Sequence, residues 1–311
     1  MRAVITPEYG PPEVMRLVDA PKPIPGKNEV SIRVCATQVS SGDCRARSFH
    51  VPWHVWIPAR IFLGIIRPRA PIQGLWLAGE VEAVGEGVTR FKAKDRVYGN
   101  TISAGMRFGA YAEYACLPEA ALMAQIPPSL TYEEAVAIPF GGLTALHFLR
   151  KAGAGEGHHV LIHGASGAVG SSAAQVAVAL GARVTGVCSG ANVELVKSLG
   201  AEHAVDYTRE NFADGRTRYD IVFDAAGKTT RRQSAPALKP GGKYVSVVTS
   251  GHVAMKIEDL NFLGRLAEER KIKAVIDRVY PLERMVEAHR YVELGHKKGN
   301  VVITMGGTAA G

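Results

Sequence analysis

Apolar and polar residues alternate at Val30-Ser-Ile-Arg-Val34, the period of a strand with one buried face. Glu80–Val88 and Asp95–Tyr98 are further short strand patterns with glycines at the bends, so the first 120 residues read as β-rich. Prolines 21, 23 and 25 predict a stiff, extended connection early in the chain. From Tyr132 the texture changes. Thr131-Tyr-Glu-Glu134 has the form of a capping box. An apolar strand (His159–Ile162), a helix (Gly170–Leu180), a strand (Arg183–Val187) and a helix (Val193–Leu199) follow, then strands at Ile221–Phe223 and Tyr244–Val248. Short, wholly apolar strands alternating with helices predict a parallel sheet covered on both faces. A strand (Ala274–Tyr280), a helix (Leu282–Leu294) and a strand (Asn300–Thr304) close the chain. Phe49–Leu77 stands apart: it holds all three tryptophans, Trp53, Trp56 and Trp76, among four prolines. Such a segment either packs into the core or lines an apolar pocket.

The sharpest motif is His163-Gly-Ala-Ser-Gly-Ala-Val-Gly170, placed between a predicted strand and a predicted helix. Gly164, Gly167 and Gly170 allow a tight turn, a close approach to a pyrophosphate, and helix-on-sheet packing. The helix N-terminus adds N–H groups and a positive dipole end. Ala165, Ser166, Ala168 and Val169 complete this cofactor-binding loop. The next strand ends at Ser189, where a dinucleotide fold reads the adenosine ribose. Cys188-Ser-Gly-Ala-Asn192 offers no carboxylate for a ribose 2′-hydroxyl, which argues against NAD. Ser189 and Asn192 instead suit a 2′-phosphate, with Lys197 or Arg209 adding charge, and NADP(H) is the expected cofactor. Ser189 as a plain helix cap is the alternative.

Composition narrows the rest. The 311 residues carry 37 Lys+Arg against 29 Asp+Glu, a formal net charge of +8. Cys35, Cys44, Cys116 and Cys188 form no C-x-x-C pair, which excludes a zinc ribbon and a small disulfide scaffold. The apolar run Ile61–Ile66 is six residues long, against about 20 needed to span a bilayer. The amino-terminal residues show neither the apolar core of a signal peptide nor transit character, so a cytoplasmic protein is expected. No interleaved basic and aromatic patch points to nucleic acid.

Several stretches together resemble a known family. They are Ala78–Phe91 with Asp95–Gly99, Gly141-Gly-Leu-Thr-Ala-Leu146, the glycine loop, Leu199–Glu202 with Asp206–Thr208, Phe223–Gly227, Leu238–Tyr244 and His296–Ile303. In this order they resemble the medium-chain dehydrogenase/reductase superfamily, in its zinc-free quinone oxidoreductase branch with the zeta-crystallin-like proteins. The resemblance implies an α/β fold with an N-terminal GroES-like β-rich catalytic domain (residues 1–122 and 266–311). A Rossmann-type doubly wound parallel sheet (residues 123–265) is implied between them. Only His252–Ile257 stands where relatives place an outer strand and part of the cleft wall, so that strand is expected to be missing. A homodimer formed by extending the sheet is thereby put in question.

The same resemblance bears on metal. Relatives that bind catalytic zinc place ligands where this chain has Ser40, Gly74-Leu75-Trp76 and Phe140, none a Cys/His/Asp/Glu donor. His50 and His54 have helical spacing, but Pro52 lies between them, and no metal is expected. The implied activity is zinc-independent hydride transfer from NADPH to a quinone or an α,β-unsaturated carbonyl, whose conjugation spreads the developing charge. By resemblance, Ser40, Ser41, Asp43, Cys44 and Arg45 line the catalytic site. Arg45 would hydrogen-bond an enolate and Asp43 would orient it; an ordinary Asp43–Arg45 ion pair is the alternative. Cys44 as a nucleophile lacks an evident partner. Thr144 and the Gly142 main chain face the nicotinamide by resemblance, and Tyr207 and Asn300 join the cofactor-binding residues. Ala191 and Asn300 stand where relatives commonly carry a basic residue. An NADPH-binding protein with little catalysis, structural, regulatory or RNA-associated, is the second reading.

Overall fold

The computed structural model describes residues 1–51, 56–103, 105 and 107–306. Two compact units emerge: residues 1–137 with 276–311, and residues 138–275. These divisions fall later along the chain than the expected boundaries at 122/123 and 265/266. Trp53 and His54 lie outside the described residues.

In the first unit, β1 (Arg2–Ile5) and β2 (Arg16–Asp19) form an antiparallel pair. The spine is β3 (Glu29–Val39), eleven residues long and apolar at most inward positions. Helices α1 (Ser41–Ser48) and α2 (Trp56–Leu63) follow, then β4 (Trp76–Val84), β5 (Arg96–Asn100), β6 (Tyr114–Pro118) and β7 (Met123–Gln125). Helix α3 (Tyr132–Ala152) opens on the expected capping box: Thr131 N–H donates to Glu134 Oε2 at 2.9 Å, and Glu134 N–H to Thr131 Oγ1 at 3.2 Å. The division between units falls inside α3.

The second unit is a five-stranded parallel sheet built from β8 (His159–His163), β9 (Arg183–Cys188), β10 (His203–Asp206), β11 (Tyr219–Asp224) and β12 (Leu238–Ser246). Helices α4 (Ala168–Ala179), α5 (Val193–Ser198), α6 (Arg231–Ser234) and α7 (Ile257–Glu268) connect or flank these strands. The strand order β10-β9-β8-β11-β12 is the doubly wound order 3-2-1-4-5. Its sixth place is filled by no strand among the described residues, and residues 251–256 hold no regular element, as the short segment there leads one to expect.

The chain returns to the first unit through β13 (Ile276–Pro281), α8 (Met285–Glu293) and β14 (Asn300–Thr304). Strand β14 runs parallel to β13 and antiparallel to β3, so the C-terminus completes the sheet order β13-β14-β3-β4-β5-β7, with β6 also on β3. Ile32, Leu77, Leu117, Tyr111, Met285 and Val301 meet in the core of this unit. Trp76 is buried, whereas Trp56 and Phe62 are about half exposed, so the aromatic segment divides between interior and surface. No described helix is long and apolar enough to cross a membrane.

Candidate functional site

The glycine loop joins β8 to α4. Gly164 and Ala165 N–H both donate to Val187 O, at 3.0 and 2.9 Å, which pins the loop to β9. Gly164 has a φ of +80°, a conformation that favours glycine. A Cβ on Gly170 would lie 2.0 Å from Gly164 O, so only glycine lets the helix start this close to the turn. Gly167 differs: its Cβ would meet nothing nearer than 3.6 Å, so the space beside it is open. Gly167 is also the N-cap residue of α4, and no side chain caps that end. The first-turn N–H groups, at Ala168, Val169 and Gly170, lack acceptors within the helix itself. A buried Ala165 and a partly exposed Ser166 complete the turn.

Ser189 and Asn192 come together beside this loop. Asn192 Nδ2 donates to Ser166 Oγ and to Ser189 Oγ, both at 3.1 Å. Each hydroxyl therefore accepts from the amide and keeps its own hydrogen for an outside acceptor. Asn192 Oδ1 is buried without a partner, an acceptor suited to a sugar hydroxyl. Ser189 occupies an N-cap position, yet its side chain makes no cap hydrogen bond, so capping does not account for it. Tyr207 is exposed, and its N–H donates to Cys188 O at 3.1 Å, which brings it next to Ser189. Lys197 pairs with Glu194 at 3.4 Å and Arg209 with Asp206 at 3.7 Å, both at the surface.

Two carboxylates here escaped the sequence reading. Asp206 ends β10 beside Cys188, because the β9–β10 register aligns them. Its Oδ1 accepts from Thr208 N–H and Oγ1, and a Cβ on Gly190 would lie 2.5 Å from its Oδ2, so its charge is held by the local turn. Asp224 ends β11, fully buried. It accepts from the N–H groups of Ala226, Lys228 and Thr229, each at 3.2 Å, and lies 3.5 Å from His163 Nδ1. Burial pushes this carboxyl up, but His163 and the backbone donors outweigh it and hold it below the usual range. Asp224 thus fixes the loop whose Ala226 packs against Gly164.

Thr144 lies on α3 with its Oγ1 donating to Phe140 O at 2.8 Å, so only its lone pairs face outward. Asn300 belongs to the first unit as the opening residue of β14 and is buried.

In the first unit, Ser40 and Asp43 form a reciprocal cap of α1. Asp43 Oδ2 accepts from Ser40 N–H at 2.8 Å and from Ser40 Oγ, while Oδ1 accepts from Leu75 N–H at 3.1 Å. Burial raises the Asp43 carboxyl to about 6 despite these donors. Arg45 sits two positions on and is exposed, while Asp43 is buried. Both Asp43 oxygens are committed to Ser40 and Leu75. The expected arrangement in which Asp43 orients Arg45, and equally an Asp43–Arg45 ion pair, is therefore corrected: α1 turns the two side chains apart. Cys44 is buried, and burial pushes its thiol up to about 12, which removes nucleophilic character. The donor set at Ser40, Leu75, Trp76 and Phe140 does not fit catalytic zinc. Among the described residues, no group of three or more His, Cys, Asp or Glu side chains could hold a metal ion.

The chain's likeness to known proteins follows this anatomy. Residues 26–128 match the alcohol dehydrogenase GroES-like domain, and residues 168–280 match the zinc-binding dehydrogenase family. A 2-methylene-furan-3-one reductase of Solanum lycopersicum is 32% identical over 97% of this chain and 79% of its own length. The chloroplastic NADPH-dependent alkenal/one oxidoreductase of Arabidopsis thaliana is 30% identical, with the same coverages of 97% and 79%. The chain belongs to the medium-chain dehydrogenase/reductase superfamily, in its zinc-free quinone oxidoreductase branch. The solved quinone oxidoreductase from Coxiella burnetii superposes with a TM-score of 0.83 at 29% identity, covering 98% of this chain and 99% of that one.

Proposed function

We propose that the protein is a zinc-independent, NADPH-dependent oxidoreductase that reduces quinones or α,β-unsaturated carbonyls. The observation that carries this reading is the trio Ser166, Ser189 and Asn192 beside the uncapped start of α4. The two serine hydroxyl hydrogens suit a 2′-phosphate; β9 itself ends without a carboxylate, and Asp206, which β10 brings beside it, is engaged by Thr208. The relatives named above as an alkenal/one oxidoreductase, a furanone reductase and a quinone oxidoreductase support the substrate class.

In this reading Gly164, Ala165, Ser166, Gly167, Ala168 and Val169 hold the pyrophosphate. Ser166 and Ser189 donate to the ribose phosphate, Asn192 holds both hydroxyls in place rather than contacting the phosphate, and Tyr207 lies beside them. Thr144 and Asn300 complete the cofactor contacts by family resemblance. The bound cofactor supplies a hydride. Ser40, whose hydroxyl hydrogen is committed to Asp43, and Asp43 act as positioning residues that fix the start of α1. Arg45, exposed and cationic, stabilises the negative charge that develops on the substrate oxygen. Conjugated acceptors suit such a site, because delocalisation lowers the charge that must be stabilised without a metal.

The test is turnover of NADPH against a panel of quinones, enals and enones, followed by loss of the reduced nicotinamide absorbance. Turnover on at least one class is expected. Tight NADPH binding with no turnover on any member would favour a cofactor-binding protein without catalysis.

A further inference from the structure

Helix α2 and the turn after it expose Trp56, Ile57, Ile61, Phe62, Ile65 and Ile66, the last two at 72% and 87%. None of the residues of α2 is buried. Apolar residues scattered singly over a surface need no explanation, but a contiguous cluster of this kind marks an interaction face.

The charge around the patch has one sign. No Asp or Glu occurs between Asp43 and Glu80, whereas Arg45, Arg47, Arg60, Arg67 and Arg69 all do. Arg47 is buried and pairs with Glu293. The others meet no carboxylate in any ion pair among the described residues. Arg60 lies over the Phe49 ring at 3.7 Å and donates to Ile65 O at 2.6 Å. Arg69 donates to Ile61 O at 3.0 Å. Both guanidinium groups are thus fastened to carbonyls of the very residues whose side chains project outward. Arg67, exposed, follows directly on Ile66.

We propose that the surface from Trp56 to Arg69 is a peripheral docking face for an anionic lipid bilayer. Trp, Ile and Phe side chains enter the boundary between headgroups and acyl chains, and the arginine rim meets lipid phosphates. The charge complementarity commits the face to this partner. A second copy packed symmetrically on the patch would oppose arginine to arginine across the two-fold axis.

The test is co-sedimentation of the full chain with vesicles of phosphatidylcholine alone or mixed with phosphatidylglycerol, at low and high salt. Binding to the anionic vesicles is expected to exceed binding to the neutral ones about ten-fold and to weaken with salt. Arg67→Glu and the double variant Ile65→Asp/Ile66→Asp are each expected to lower it about ten-fold. Their melting temperatures should stay unchanged, because these side chains are solvent-exposed. Equal binding to both vesicle types, or binding that neither variant alters, would overturn the proposal. So would a solution dimer that Ile65→Asp/Ile66→Asp converts to monomer, which would assign the patch to a second copy.

Discussion

The His289 imidazole and the Tyr111 hydroxyl, 178 positions apart in sequence, meet at 3.1 Å between Nε2 and Oη in the core of the first unit. His289 Nδ1 lies 3.6 Å from Cys44 Sγ, and Tyr111 hydrogen-bonds Asp43. Asp43 in turn holds Ser40. A continuous buried path thus ties Ser40, at the start of α1, to helix α8.

This path predicts two opposing pH dependences of stability. Burial holds His289 neutral and pushes its pKa down to about 3. Its contribution is full above its ordinary value and is lost as pH falls toward about 3. Asp43 is raised to about 6, so the fold favours its neutral form, and that advantage is lost as pH rises from about 4 through about 6. Each slope reaches at most about 1.4 kcal/mol per pH unit, and the two oppose each other over that window. Denaturation midpoints measured across it should change little in the native protein. They should rise on acidification in His289→Gln and fall on acidification in Asp43→Asn. Identical profiles in all three would contradict the buried path.

The glycine loop separates folding from binding. Gly167→Val places its side chain in open space on the fold but in the region of the pyrophosphate. Its melting temperature should stay within a few degrees of the native value, while NADPH binding weakens at least about ten-fold by calorimetric titration. Gly170→Ala should lower stability by about 1–3 kcal/mol, because its Cβ collides with Gly164 O. Equal losses of stability in both variants would argue against the assigned roles.

Ser189→Asp should reverse cofactor preference. A carboxylate there repels a 2′-phosphate and accepts from a 2′-hydroxyl. NADPH affinity is expected to fall about ten- to hundred-fold while NADH affinity holds or rises. Unchanged NADPH affinity would remove Ser189 from the site.

Arg45 and Ser40 differ in what they support. Arg45 is exposed, so Arg45→Ala should leave stability within about 0.5 kcal/mol while lowering kcat about ten-fold or more with little change in cofactor affinity. Ser40→Ala also removes the α1 cap, so it should cost about 1 kcal/mol of stability as well as activity. An Arg45→Ala enzyme with native kcat would remove Arg45 from the proposed substrate contacts.

The glycine loop and the doubly wound sheet were legible because their signals are local. A turn that only glycine permits, as at Gly164 and Gly170, and strands such as His159–Ile162 with both faces buried leave their mark in a few adjacent residues. The missing outer strand was legible for a similar reason, since His252–Ile257 is too short to hold it. The buried path was not, because Cys44, Tyr111 and His289 meet only after three distant segments fold together. Asp206 escaped notice because strand pairing, not sequence distance, sets it beside Cys188. Helix α1 was also missed. Its pairing of a buried Asp43 with an exposed Arg45 follows from 100° per residue, which spacing alone would have shown had the helix been recognised.

The most direct test of the account is kcat/KM on an enone and a quinone with NADPH and with NADH, using protein dialysed exhaustively against a chelator. The expected result is a preference of at least about ten-fold for NADPH, unaffected by the chelator. Equal rates with NADH, or activity lost to the chelator and restored by zinc, would contradict it.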